Sequence, residues 1–305
     1  MTWPLGGVRE REPLANHTGF RIGGPAEWFA EPSTLDELTV LLRAASRTGL
    51  PVSVVGGGTN TLAADRGVRG LVLHLGRGFR TVHELGHPEE PIVRVSCGAG
   101  LLTQRLVYLA AHHGWGELDT LAGLPGQLGG AVAMNAQEIG RFIHAIRVVS
   151  LDGTVHQVTR DQLRFSYRYT ALEPGIIVDV VLQFPRIPPA EAYERIRRTL
   201  QYRNATQEVR LPSAGCAFKN PIGMSAGRLI DQAGLKGVRI GDAQVSLRHA
   251  NFIVNVGHAT CDDVLSLMEH VQRRVQQASR VTLEPEVRLM GEQWTAVSKT
   301  PHVGS

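Results

Sequence analysis

No run of 18 apolar residues occurs in this 305-residue chain, so a membrane-spanning helix of the usual length is excluded. The first dozen residues, Met1 to Glu12, lack the apolar stretch of a secretory signal, and export by that route is not expected. Cysteine is scarce: Cys97, Cys216 and Cys261 are odd in number and far apart, with no CxxC pair. A reduced, cytosolic setting without structural disulfides or a zinc knuckle fits that count, and no metal is expected. The chain also has no Walker loop with its lysine, no GxGxxG turn, no internal repeat and no low-complexity tract. The net charge is only +4. Its most basic segments, Arg195 to Arg203 and Arg273 to Arg280, carry their charges on amphipathic helical patterns without an RNA-binding signature. They read as solvated helix faces, so neither nucleic acid nor membrane is an expected partner, and an anionic small molecule suits the mild basic bias.

Glycine is plentiful, with 34 residues against an average share of about 7%. Gly23-Gly24-Pro25 marks an early turn. Ser33 and Thr34 with Asp36 and Glu37 offer a capping-box start to a helix whose Leu35, Leu38, Leu41, Leu42 and Ala45 share one face. The buried strand expected over 51–55 runs directly into Gly56, Gly57, Gly58, Thr59 and Asn60. Such a triplet bares backbone N–H groups and could wrap a phosphate, or could be a plain turn. Strands are expected over 71–74 and 92–96, then a helix on Leu102, Leu106, Leu109 and Ala110 ending near Gly114. A second cluster holds Gly123, Pro125, Gly126, Gly129 and Gly130. It is either a close-packed turn and helix start or a surface for a large flat ligand. Two clusters together favour the ligand, because a dinucleotide has a pyrophosphate for one loop and a ring system for the other.

Residues 146–184 are strand-rich and contain Tyr167-Arg168-Tyr169. An arginine flanked by aromatics could be held by stacking and clamp a carboxylate; it could equally be a solvated strand residue beside core tyrosines. Three prolines between Pro185 and Pro189 suggest a linker. Beyond it lies an α+β piece of about one hundred residues, a usual domain size. It carries a loop, LPSAGCAFKNP over 211–221, that sets a thiol, Cys216, close to Lys219 and Asn220. A helix opened by Thr260 and Asp263 and a closing strand over 281–290 complete it.

In their order and spacing, FRIGGPA, VVGGGTN, GLPGQLGGAVAMN, SYR, SAGCAFKNP, AGRLIDQAGLKG, VSLRHANFIVN and LEPEVRLMG resemble the UDP-N-acetylenolpyruvoylglucosamine reductase family over about residues 16 to 291. The resemblance implies an α+β fold: a vanillyl-alcohol-oxidase (PCMH) type FAD-binding domain in two subdomains, 1–70 and 71–188, a C-terminal substrate domain at 189–291, and a flexible tail at 292–305. It implies non-covalent FAD, reduced by NADPH, that passes a hydride to the enolpyruvyl double bond of a UDP-sugar in peptidoglycan precursor synthesis. The family's catalytic positions fall on Arg168, Cys216 and Glu286. Tyr167, Lys219 and Asn220 fall at substrate contacts, with Asn220 toward the diphosphate. Gly56, Gly57, Gly58, Thr59, Asn60, Gly123, Pro125, Gly126, Gly129, Gly130 and Val178 fall at flavin contacts. A monomeric cytoplasmic enzyme is expected. This chain departs from the family at Cys216, where serine is commoner, at Gln127, a place usually given to a small hydroxyl residue, and at Gln137-Glu138-Ile139. The absence of a tyrosine-bearing insertion between Tyr169 and Val181 makes the shorter branch the better comparison.

Elementary chemistry agrees with those roles. Hydride addition to an enol ether builds charge on its carboxylate, which a fixed guanidinium at Arg168 stabilises more in the transition state than in the ground state. A thiol, with an ordinary pKa of about 8.5, is protonated at neutral pH yet acidic enough to give its proton up. Glu286 is either a buried, protonated support for the developing enolate or an ion-pair partner of Arg288. Because a nearby cation would favour thiolate, the Lys219 ammonium is expected to point away from the sulfur. Two rival readings remain: a flavin oxidase of alcohols or sugars on the same fold, and a nucleotide-binding module in which Cys216 is only a small apolar residue.

Overall fold

Strand Gly175–Pro185 alternates a buried set, Ile176, Val178, Val180, Leu182 and Phe184, with half-exposed Asp179, Val181 and Gln183. Period-2 burial of this kind seats one face of a sheet on a core. In the computed structural model, which describes residues 2–87, 90–208 and 210–291, this strand is the centre of a five-stranded antiparallel sheet. The order is Val82–Leu85, Ile92–Gly98, Gly175–Pro185, Ile143–Ser150 and Val155–Thr159. Val180 pairs with Cys97 on one side and Ile146 on the other. Val178 falls at a bulge against Ile143–Ser150. The tail expected at 292–305 lies outside the described residues.

Two compact units divide the chain. One comprises residues up to Arg9, Trp28–Gly57 and Gly70–Arg203; the other comprises Glu10–Glu27, Gly58–Arg69 and the described residues from Asn204 on. In the first unit, α1 (Leu35–Arg47) is capped by Thr34, whose hydroxyl accepts from the Glu37 N–H at 3.1 Å, while the Glu37 carboxylate accepts from the Ser33 N–H at 2.6 Å. Leu38, Leu41, Leu42 and Ala45 are buried as the periodicity predicts. α2 (Thr103–His113) ends at Gly114 in the left-handed region, φ 68, where a side chain is costly. α3 (Leu128–Ala133) is short and begins within the second glycine cluster, taking in Gly129 and Gly130.

α4 (Pro189–Thr206) exposes Arg195, Arg197 and Arg198 in ion pairs with Glu191 and Glu194 one turn away. Hydrogen bonds from Arg197 and Arg198 hold the Glu194 carboxyl low, at about 2. The proline-rich stretch expected to be a linker is hydrogen-bonded into this unit: Arg186 N–H donates to the Pro91 carbonyl and Ile187 N–H to that of Gly114, and Pro185 accepts from Gly116. Prolines lack donors, but their carbonyls and their neighbours' amides remain available to tie such a segment down.

The second unit holds an antiparallel sheet in the order Ser213–Cys216, Phe252–Asn255, Ala243–Val245, Arg239–Ile240. α5 (Ala226–Gln232) is capped by Ser225, and α6 (Cys261–Ser279) by a full capping box of Thr260 and Asp263. Val264, Leu267, Met268, Val271 and Val275 of α6 face its core, with Phe20, Ile22 and Leu62 from the earlier segments. The closing strand is shorter than the sequence suggests, Arg288–Met290, paired in parallel with Thr61–Ala63. Pro285 has no N–H to donate and interrupts regular pairing upstream.

Asp65 adds a second cap to α6. Its two carboxylate oxygens accept from the N–H groups of Cys261 at 2.8 Å and Asp262 at 3.1 Å. These are orphan donors at the positive end of the helix dipole, so the acid is favoured there. Asp65→Ala is expected to lower unfolding stability by about 1–2 kcal/mol, seen as a lower urea midpoint with an unchanged slope; an unmoved midpoint would refute the cap.

Candidate active site

The thiol loop begins as a strand and is then bent. Pairing with the neighbouring strand shifts register between Ser213 and Cys216, and Gly215 sits at φ 75 inside that irregularity. Only glycine adopts this angle without strain, and a bulge re-aims the residue beside it. Cys216 pairs with Phe252 and is half-buried. After it, the main chain is held from two sides. The Ala217 N–H donates to the Asn251 carbonyl at 2.8 Å. The Asn251 side chain then spans Phe218, its Oδ1 accepting from the Phe218 N–H at 3.0 Å and its Nδ2 donating to the Phe218 carbonyl at 2.8 Å. Asn251 is 2% exposed. It was not singled out by the sequence, where it stands in an apolar strand entrance.

On the other side, the Glu286 N–H donates to the Ala217 carbonyl at 2.8 Å and the Lys219 N–H to the Glu284 carbonyl at 2.8 Å. Asn60 completes this ladder: its Nδ2 donates to the Glu286 carbonyl at 3.2 Å and its own carbonyl accepts from the Arg288 N–H. Cys216 is thus the chain neighbour of Ala217, and Glu286 is the ladder partner of the same residue. The Lys219 ammonium lies 3.3 Å from the Glu284 carboxylate. Asn220 is exposed, and its Oδ1 accepts from the Ala226 N–H at the start of α5. His249 is a further group beside the loop. Its Nδ1 accepts from the Asn251 N–H, its ring meets Phe252 edge-on at 4.8 Å, and burial lowers its pKa, keeping the imidazole neutral. Gly58 packs against the His17 and Thr18 main chain, where a Cβ would come within 2.0 Å of the His17 carbonyl, and Thr59 follows it.

Arg168 belongs to the first unit. The sequence suggests a strand residue beside core tyrosines as one option, but the chain makes a two-residue turn there: Ser166 pairs with Tyr169, and Arg168 is left-handed at φ 59. Tyr167 and Tyr169 are exposed, not core, and the Arg168 guanidinium stacks 4.9 Å over the Tyr167 ring. The hairpin is fixed from below by Thr170, whose hydroxyl donates to the Val132 carbonyl, and by Asn135, whose Nδ2 donates to the Ser166 carbonyl at 3.0 Å. A non-glycine residue held left-handed costs about 1–2 kcal/mol, and such strain clusters at functional positions. Gln137 and Glu138, at φ 50 and 57, are left-handed as well.

The start of the first glycine cluster, Gly56 and Gly57, meets the second cluster in this unit. A Cβ on Gly57 would lie 2.6 Å from Gly126 Cα, so the loops touch main chain to main chain. Thr103, fully buried, ties the second loop through its hydroxyl to the Leu124 and Gly126 carbonyls. Gly123 is left-handed at φ 76, Pro125 is exposed, and Gly129 packs on Ala99. Val178 has its side chain in the core and its carbonyl bound to the Ala99 N–H at 3.0 Å. Gly130 differs from its neighbours. It is helical and exposed, and among the described residues a Cβ there would meet nothing within 4 Å. Helical glycine is about 1 kcal/mol worse than alanine, so packing gives no reason for it. Backbone left bare beside two loops in contact fits a large flat cofactor. Among the described residues no group of three His, Cys, Asp or Glu is placed to hold a metal, and no helix is long and apolar enough to cross a membrane.

Residues 26–159 match the FAD binding domain family, and residues 207–290 match the C-terminal domain of UDP-N-acetylenolpyruvoylglucosamine reductase. The class is therefore that of FAD-containing oxidoreductases, with an α+β fold and an FAD-binding domain. Reductases of that name from Myxococcus xanthus and Geobacter metallireducens are 45% and 42% identical over 296 and 293 residues, each alignment covering 94% of this chain and 94% and 95% of the relative. The crystal structure of the Thermus caldophilus enzyme is 40% identical, superposes with a TM-score of 0.77, and is matched over 93% of this chain and 99% of its own. This chain belongs to the UDP-N-acetylenolpyruvoylglucosamine reductase family.

The three cysteines differ in what they can do. Burial, with Asp179 nearby, pushes the Cys97 thiol up to about 12. Burial, with Asp65 and Asp262, does the same to Cys261, also to about 12. Both stay protonated and inaccessible near neutrality, whereas Cys216 is partly open. A disulfide-exchange reagent at pH 8 is expected to label one thiol rapidly in the native protein and three in urea. Persistence of the rapid phase in Cys216→Ala would contradict this ranking.

Proposed function

We propose that this protein reduces UDP-N-acetylglucosamine enolpyruvate to UDP-N-acetylmuramate at the expense of NADPH, through non-covalently bound FAD, as a monomeric cytoplasmic enzyme of peptidoglycan precursor synthesis. The observation that carries the reading is the half-buried Cys216 thiol beside the bulge at Gly215, tied through Ala217 to the main chain of Glu286. When bound, FAD supplies hydride transfer from NADPH to the enolpyruvyl double bond. Cys216 gives its proton to the carbon next to the one that receives hydride, and the thiolate left behind is reprotonated from water. A free thiol, with a reference pKa of about 8.5, is a competent proton donor at pH 7.

Arg168 meets the carboxylate of the enolpyruvyl group as negative charge grows on it. The turn and the stacking on Tyr167 hold the guanidinium in a fixed direction, so little reorganisation accompanies the reaction. Glu286, in its protonated form, supports the developing acid enolate. Tyr167, Lys219 and Asn220 contact the UDP-sugar. Gly56, Gly57, Gly58, Thr59, Asn60, Gly123, Pro125, Gly126, Gly129, Gly130 and Val178 form the flavin surface, mainly through main chain, in a domain followed by the substrate domain.

Separate half-reactions test these roles. Cys216→Ala should slow reoxidation of the reduced enzyme by substrate at least a hundredfold, in the range expected for loss of a general acid, while reduction by NADPH proceeds near the wild-type rate; equal loss of both would contradict the assignment. Arg168→Gly should leave folding stability within about 1 kcal/mol, because relief of the left-handed strain offsets the lost stacking, and still depress substrate reduction severely. Retained reduction with that variant would remove Arg168 from the chemistry.

A further inference from the structure

Gln127 is 5% exposed and lies between the two glycine-rich loops, yet it carries a full amide. Buried amides are held by partners, and the partner here is unusual. Gln127 Nε2 lies 3.4 Å from Nε2 of His74, and His74 Nδ1 lies 3.1 Å from the carbonyl oxygen of Val55. A carbonyl can only accept, so in the neutral ring Nδ1 bears the hydrogen and donates it to Val55. The ring's Nε2 is then an acceptor and receives an N–H of the Gln127 amide. With its nitrogen committed to His74, the amide turns its oxygen toward the first loop: a Cβ on Gly56 would lie 3.5 Å from Gln127 Oε1.

The chain of contacts is continuous. Val55 is the residue from which the triglycine loop departs, and its N–H donates to the Leu73 carbonyl, so it is fixed to the strand that ends beside His74. Gln127 directly follows Gly126, the residue whose Cα abuts Gly57, and its main chain bridges to Leu102. An imidazole and an amide therefore connect the entry of one loop to the middle of the other, across the place where the loops touch.

We propose that His74 and Gln127 form a brace that sets the spacing of the two glycine-rich loops, making His74 a positioning residue for FAD that acts through Gln127. The inference rests on the reading that FAD lies against these loops. It goes beyond that reading in assigning a role to two side chains in place of main chain. A small hydroxyl residue at position 127 could not reach His74, so the two residues work as a pair.

FAD affinity of apoprotein, measured by quenching of flavin fluorescence, distinguishes a brace from independent contacts. His74→Phe and Gln127→Met should each raise the FAD dissociation constant by about tenfold, roughly the worth of one buried hydrogen bond. The double variant should bind no worse than the weaker single, because both remove one interaction. His74→Gln, whose Oε1 can take the place of the ring Nε2 as acceptor, should stay within about threefold of wild type, and it also serves if His74→Phe does not fold. Undiminished affinity in Gln127→Met, a double variant whose loss is the product of the two singles, or a His74→Gln variant as weak as Gln127→Met would overturn the brace. Wild-type protein that binds no FAD would overturn the cofactor reading and the brace with it.

Discussion

The second unit depends on one constraint: the main chain just beyond Cys216 must be held although its strand has been broken by a bulge. Asn251 does this on one side with two side-chain hydrogen bonds to Phe218 and a third in which its own carbonyl accepts from the Ala217 N–H. Residues 284–286 do it on the other, and Asn60 extends the ladder to Arg288. A buried amide satisfied at both ends behaves as a substitute for strand pairing, and leaving either end unmet would cost about 1–3 kcal/mol. The thiol can thus be displaced from regular sheet geometry while its backbone stays fixed, which the proton-donor role proposed for it would require.

Glycine solves two different problems in the first unit. At Gly57 the missing Cβ permits main-chain contact with Gly126, a packing role that any close-packed turn could have. At Gly130 no described protein atom lies within 4 Å of where a Cβ would stand, so packing within the chain does not account for the glycine. The distinction matters because the abundance of glycine alone speaks for either role. Strain is placed in the same spirit. Asn135, Gln137, Glu138 and Arg168 are left-handed without being glycine, and Asn135 bonds both the Arg168 hairpin and the Gly140 N–H. Hydrogen bonds to a buried amide hold this segment against its own backbone preference.

Much of this was legible in local pattern. The periodicity of α1 and α6, their caps at Thr34 and Thr260, and the stop at Gly114 follow from rules that act within one or two turns. The family was legible as well, from motifs long enough to be specific, and its α+β fold came with it. What depends on distant partners was not. Tyr167-Arg168-Tyr169 has the aromatic content of a strand, and nothing local marks Arg168 as the turn residue; the turn is imposed by pairing of Ser166 with Tyr169 and by Asn135. Asn251 acts on Phe218, 33 residues away, and Gln127 on His74, 53 residues away. Asn251 has the look of an ordinary residue at a strand entrance, and Gln127 stands out only as a departure from the family pattern, because a buried amide announces its role only by its partners. The closing strand was overdrawn for a simpler reason, that Pro285 sits inside an otherwise strand-like run.

The central claim is that this chain couples NADPH oxidation to reduction of an enolpyruvyl nucleotide through one bound flavin. An anaerobic titration addresses it directly. The FAD-loaded protein is first bleached with one equivalent of NADPH, and UDP-N-acetylglucosamine enolpyruvate is then added while the flavin absorbance is followed. The account predicts recovery of the oxidised spectrum at one equivalent of the nucleotide, with UDP-N-acetylmuramate formed in equal amount. A flavin that stays bleached with excess nucleotide and recovers only on admission of oxygen would contradict it.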